Sequence, residues 1–208
     1  MEYVNSCLML STSLWTGIDL SGAFDDNDLK DTGIERDSHI TIFYTNEKVI
    51  QREGLLENIR TILGESDFLE KLKEDSKFKV LDYFELGKFE NESDFVVLKL
   101  KKDTELFETL DILHTGLSAA YDIKSKFPEY TPHLTLAELN PGKAKQYMFS
   151  SVLGLLLETA MFKLDDFVLS NGTEDKKYKQ FNVTSYNAVD RYFRQKELER
   201  DRMFYEGL

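Results

Sequence analysis

The chain has 208 residues, enough for one large domain or two small lobes around a shared core, and its 41% hydrophobic and 12% aromatic content excludes a disordered polymer. A formal net charge of −12 and a sequence pI near 4.8 exclude the basic footprint needed for long nucleic acid, but not a small anionic ligand held by local donors. The one cysteine, Cys7, rules out an intramolecular disulfide and fits a reducing, cytoplasmic home. Glu2 in place of a basic n-region makes the start a poor signal peptide, and the run VLGLLL is far too short to span a bilayer.

CLMLSTSLWTGIDL predicts a first strand, in which Cys7 is a small apolar filler. SGAFDDNDLKDTG follows as turns with at most one short helical turn. HITIFYT is a strand of β-branched and aromatic residues. In NEKVIQREGLLENIRTILGE, apolar residues at Val49, Ile50, Leu55, Ile59, Ile62 and Leu63 predict a helix capped by Asn46, with a further turn over 66–75. FKVLDYFELGKFENESDFVVLKLK predicts two strands joined by a polar loop. DTELFETLDILHTGLSAAYDI predicts an amphipathic helix with Asp103 or Thr104 as its cap.

HLTLAEL predicts another strand, and PGKAKQYMFSSVLGLLLET another helix. AMFKLDDFVLSNG and KYKQFNVTSY predict a closing hairpin. A charge-mixed helix or tail over 186–208 ends the chain and offers a route to homo-oligomers. Strand, histidine strand and helix thus occur once in each half. No Pro/Gly/Ser-rich linker divides them, so 1–185 is expected to form a single domain of two lobes.

Two of the three histidines stand in one repeated pattern, His39-Ile-Thr41-Ile and His133-Leu-Thr135-Leu. Residues i and i+2 of a strand share a face, so each strand presents an imidazole beside a hydroxyl while its Ile or Leu residues point into a core. Imidazoles titrate near neutrality, so one can take a proton from an attacking hydroxyl while the other gives one to a leaving oxygen. The hydroxyls can donate to non-bridging phosphate oxygens. Those four groups fit phosphodiester cleavage without a metal or other cofactor, and no CxxC or HExxH cluster is present. His114, on the helix and outside the pattern, reads as structural.

HITI and HLTL resemble the paired motifs of the 2H phosphoesterase superfamily. The resemblance implies an α+β, bilobal fold: two pseudo-symmetric β-sheet lobes with outer helices and a central cleft, here followed by the C-terminal helical tail. It also implies metal-independent cleavage of 2′,3′-cyclic phosphates or 3′,5′-phosphodiesters. With their flanks, HITIFYT and YTPHLTLAEL are most similar to phage anti-CBASS cyclic-oligonucleotide phosphodiesterases, Tyr44, Thr45, Tyr130 and Pro132 falling on positions of that pattern. This implies a cyclic di- or trinucleotide ligand and a place of action in an infected bacterial cell, in immune evasion. Glu138 stands near the position where RNA-ligase-like members often carry arginine, which speaks against RNA ends.

Three aromatic residues are candidates for contact with the ligand. Trp15, on the first strand, matches a base-stacking aromatic of the phage group but suits a core equally well. Tyr44 shares a face with Ile40 and Ile42 unless the strand ends or bulges. Tyr130, before Pro132, suits either the cleft rim or simple packing. Lys88, Lys99, Lys101 and Lys124 could offset the acidic charge locally, with KSKFPEY the expected basic rim.

Overall fold

Alternating burial along HITIFYT and HLTLAEL builds the centre of an antiparallel sheet. The structure is a computed structural model described for residues 3–15, 20–64, 79–85, 92–124, 129–159, 161–173 and 178–183. Its strands are β1 (Asn5–Trp15), β2 (Leu29–Ile34), β3 (His39–Thr45), β4 (Lys79–Glu85), β5 (Asp94–Leu100), β6 (His133–Leu139), β7 (Met161–Gly172) and β8 (Tyr178–Asn182). Neighbours run in the order β4-β5-β6-β3-β1-β7-β8, and β2 also pairs with β6. The two histidine strands are therefore direct neighbours in one sheet.

One edge of β6 is shared by two partners. β3 joins it at Ile40↔Leu134, while β2 joins it further along at Ile34↔Ala137 and Leu29↔Leu139. β2 is absent from the sequence expectation because LKDTGI lacks alternation and carries Gly33, whose φ of 63° lies in the left-handed region. Its start is fixed by Asp28, which accepts hydrogen bonds from Tyr147 Oη at 2.8 Å and from Gln146, and pairs with Lys143 at 2.8 Å.

The helices are α1 (Arg52–Leu63), α2 (Glu105–Ala120) and α3 (Ser151–Thr159). Leu106, Leu110, Leu113 and Leu117 line one side of α2 and join Leu55 and Ile59 of α1 in the core with Leu8, Leu10, Ile40, Ile42, Leu98 and Leu134. α1 and α2 approach closely at Gly116, where a β-carbon would lie 2.8 Å from Ile62 Cδ1. Thr104 caps α2, its Oγ1 accepting from the Phe107 amide at 3.2 Å, as its side chain and position predict.

Two helix boundaries differ from expectation. α1 begins at Arg52 with Gln51 as its N-cap, not at Asn46. The Ile50 amide donates to Ser6 Oγ at 2.8 Å and the Ile50 carbonyl accepts from Asn171 Nδ2 at 3.2 Å, so β1 and β7 hold this segment in a non-helical path. The helix expected after the second motif is two pieces, a 3₁₀ segment Ala144–Phe149 and then α3, separated by the extended Ser150. β7 and β8 pair antiparallel as the expected hairpin. The turn expected over 66–75 and the tail at 186–208 lie outside the described residues. Among the described residues no helix is long and apolar enough to cross a membrane.

Candidate active site

Ile40 and Leu134 are cross-strand partners and both are fully buried. His39, Thr41, His133 and Thr135 therefore lie on the opposite, partly open face, as the burial alternation of both strands shows. Ile40 lies between His39 and Thr41, and Leu134 between His133 and Thr135, so the Ile40↔Leu134 pair sets the two motifs side by side. His39 is near enough to His133 for its positive charge to act on that ring. All four residues expected at the site thus lie on one face, around the Ile40↔Leu134 pair.

Both imidazoles are held alike. His39 Nδ1 lies 2.7 Å from the Asp37 carbonyl, and His133 Nδ1 lies 2.7 Å from the Thr131 carbonyl. A carbonyl can only accept, so in each ring Nδ1 carries the proton and Nε2 is the atom that exchanges one with a ligand. The carbonyl two residues before each histidine fixes tautomer and ring plane together. His133 has its imidazolium disfavoured: burial, then the positive charges of Lys99 and His39, push its pKa down, against the opposing pull of the Thr131 carbonyl.

β3 contains a β-bulge that decides the place of Tyr44. Opposite β1, Leu8 pairs with Phe43 but Met9 pairs with Thr41, so one extra residue is inserted at Ile42 and Phe43. Both of those side chains are buried in the core. Tyr44 consequently shifts to the face of His39 and Thr41, where it is 50% exposed. Its partner Cys7 is on that face too and is hydrogen-bonded to the Thr41 side chain. Burial pushes the Cys7 thiol up to about 11 despite that hydrogen bond, which suits a packed thiol supporting Thr41 and not a nucleophile.

Two backbone carbonyls at the bulge are gripped from below. Tyr130 Oη donates to the Thr41 carbonyl at 3.0 Å, and His114 Nδ1 lies 2.7 Å from the Ile42 carbonyl. The two rings stack on each other, with centroids 4.3 Å apart and planes 3° from parallel. Of the two roles open to Tyr130, packing describes this placement, and burial pushes its phenol pKa up. His114 is structural, as its position outside the repeated pattern suggests. Trp15 ends β1 opposite Met161, and its side chain lies outside the described part of the structure.

Sequence reasoning aimed no lysine at the cleft, yet Lys99 is the cross-strand partner of His133 on β5. Its Nζ lies 2.7 Å from Asp82 Oδ2 and 4.6 Å from the centroid of the Phe84 ring. Phe84 in turn meets the His133 ring edge-on, with centroids 4.8 Å apart. The signal was the alternation in DFVVLKL, which puts Lys99 opposite Leu98 in facing. What one strand alone could not show is the register that brings Lys99 to His133. Lys88 and residues 125–128 of KSKFPEY lie outside the described residues, while Lys101 and Lys124 are exposed.

No protein-family model and no curated protein matches the chain. Among solved structures, Usb1 of Kluyveromyces marxianus is similar with a TM-score of 0.47 and 11% identity, over 86% of this chain and 98% of that one. E. coli LigT complexed with 3′-AMP gives a TM-score of 0.38 and 11% identity, over 84% and 95%. A structure described as a phosphoesterase gives 0.35 and 13%, over 85% and 99%. At these scores and identities the likenesses carry no chemistry to this chain, and its functional reading rests on the geometry of the two histidine strands.

Proposed function

We propose that the chain is a metal-independent phosphodiesterase of the 2H type that linearises cyclic di- or trinucleotides. The observation that supports this most is the matched pair of imidazoles, each with Nδ1 on the carbonyl two residues before it, on the two strands joined at Ile40↔Leu134. A ribose 2′-hydroxyl gives its proton to one Nε2 and attacks the adjacent phosphorus. The new 2′-O–P bond forms as the P–O5′ bond breaks, and the other imidazole, initially protonated, delivers its proton to the departing 5′-oxygen. Thr41 and Thr135 donate to the non-bridging oxygens as charge develops there. The linear product ends in a 2′,3′-cyclic phosphate, which water can open with the two imidazoles in exchanged roles.

The cyclic-oligonucleotide substrate is supported by the motif flanks, and by the bulge that sets Tyr44 beside Thr41 where an exposed ring can stack on a base. In that reading the protein counters a cyclic-nucleotide alarm in a phage-infected bacterium. The bilobal cleft, the single domain over 1–185 and oligomers through 186–208 belong to the same proposal. Incubation with cyclic dinucleotides, cyclic trinucleotides and 2′,3′-cyclic mononucleotides, followed by chromatography, tests it. Linear oligonucleotides are expected. Opened mononucleotide rings alone would move the substrate to 2′,3′-cyclic ends, and intact bound ligand would make the protein a sponge.

A further inference from the structure

The two histidines are held so alike that their own hydrogen bonds do not assign the roles of base and acid. Their neighbours differ. On the β6 side, Lys99 stands in register with His133, anchored at 2.7 Å by Asp82 and at 4.6 Å by the Phe84 ring, which itself abuts His133. On the β3 side, the residue in register with His39 is Ser11 of β1, a neutral hydroxyl. Among the described residues, the charges that act on His133 are those of Lys99 on β5 and His39 on β3, Lys99 being paired in turn with Asp82 on β4, and the Lys102–Glu129 pair stands on the approach to β6.

We propose that Lys99 is a positioning residue of this site, whose ammonium, clamped between Asp82 and Phe84, reserves His133 as the proton acceptor and leaves His39 as the donor. A fixed cation beside an imidazole opposes a second positive charge on it, so the pair's one proton is directed to the other ring. Asp82 serves two ends: it fixes the ammonium in place, and it moderates the field that His133 feels. Phe84 completes the clamp, its ring face under the cation and its plane steeply tilted to the imidazole at 72°. The catalytic meaning of this assignment rests on the phosphodiesterase reading, but the electrostatic relation does not.

The test is therefore made without substrate, by NMR titration of the three histidine rings, assigned through single His→Gln variants. Lys99→Met keeps the bulk and removes the charge, and it should raise the His133 midpoint by roughly half a pH unit or more. Asp82→Asn leaves the cation unmoderated and should move the same midpoint down. Lys99→Arg should stay near wild type. A His133 midpoint unmoved by Lys99→Met, or moved as far by Lys99→Arg, overturns the proposal. Midpoint changes of the same sign in Lys99→Met and Asp82→Asn overturn it as well. A failed substrate panel leaves these titrations interpretable, and failed titrations leave the substrate panel standing.

Discussion

The Tyr130 hydroxyl donates a 3.0 Å hydrogen bond to the Thr41 carbonyl, so the flank of one histidine motif holds the backbone of the other. This bond and the His114 contact to the Ile42 carbonyl act on the bulge that aims Thr41 and Tyr44. Tyr130→Phe keeps the ring stacked on His114 and removes only the donor. It should cost about 0.5–1.5 kcal/mol of stability, the usual worth of one such bond. Because Thr41 loses its fixed backbone, kcat should fall by more than KM rises. Thermal unfolding and steady-state kinetics check both parts.

Replacing either His39 or His133 with Ala should lower turnover by at least about 10²-fold, the scale of losing a general acid or base. Both side chains lie on the face away from the fully buried Ile40 and Leu134, so the fold should survive. Kinetics with circular dichroism on each variant decides. Near-normal turnover in either one removes the paired-imidazole mechanism.

Thr41→Val and Thr135→Val keep volume and strand propensity while deleting one donor each. If the hydroxyls meet transition-state charge, each substitution should cost about 10–10³-fold in kcat. Unchanged kinetics with a lower Tm would mark the hydroxyls as structural.

Much of this site was legible in the sequence because strand periodicity is local. The repeat of His and Thr two residues apart located β3 and β6 to the residue, and put the four groups on one face. The bulge at Ile42 and Phe43 was not legible, since it arises from the register against β1 and from the grip of Tyr130 and His114 on two carbonyls. Lys99 was one of four lysines able to offset the acidic charge, but its place beside His133 was not legible for the same reason: its partner is set by the β5–β6 register. Asn46 misled because Ser6 and Asn171, distant in sequence, claim the backbone of Ile50 that a longer helix would use.

Acid stability should depend on Asp28. The hydrogen bond from Lys143 holds its carboxyl below the usual carboxylate range; burial opposes this, and the Tyr147 bond and the Lys143 charge reinforce it. A depressed folded-state pKa stabilises above the unfolded value, near about 3.9, and that stability is lost as pH falls through the folded value. Asp28→Asn should therefore lower the Tm at pH 7, and the gap from wild type should narrow as pH drops below about 4. A gap that stays constant from neutral to acid pH would show that the charge of Asp28 is not what anchors β2.

The most direct test of the central claim is the pH dependence of kcat/KM for linearisation, recorded in excess EDTA. One neutral and one protonated imidazole give a bell with its optimum within about two units of neutrality, near the ordinary histidine range. Its limbs report the coupled pair rather than either ring alone. The account predicts that bell, undiminished by the chelator. Activity that vanishes in EDTA and returns with Mg²⁺ or Mn²⁺, or a profile with no histidine-range limb, would contradict it.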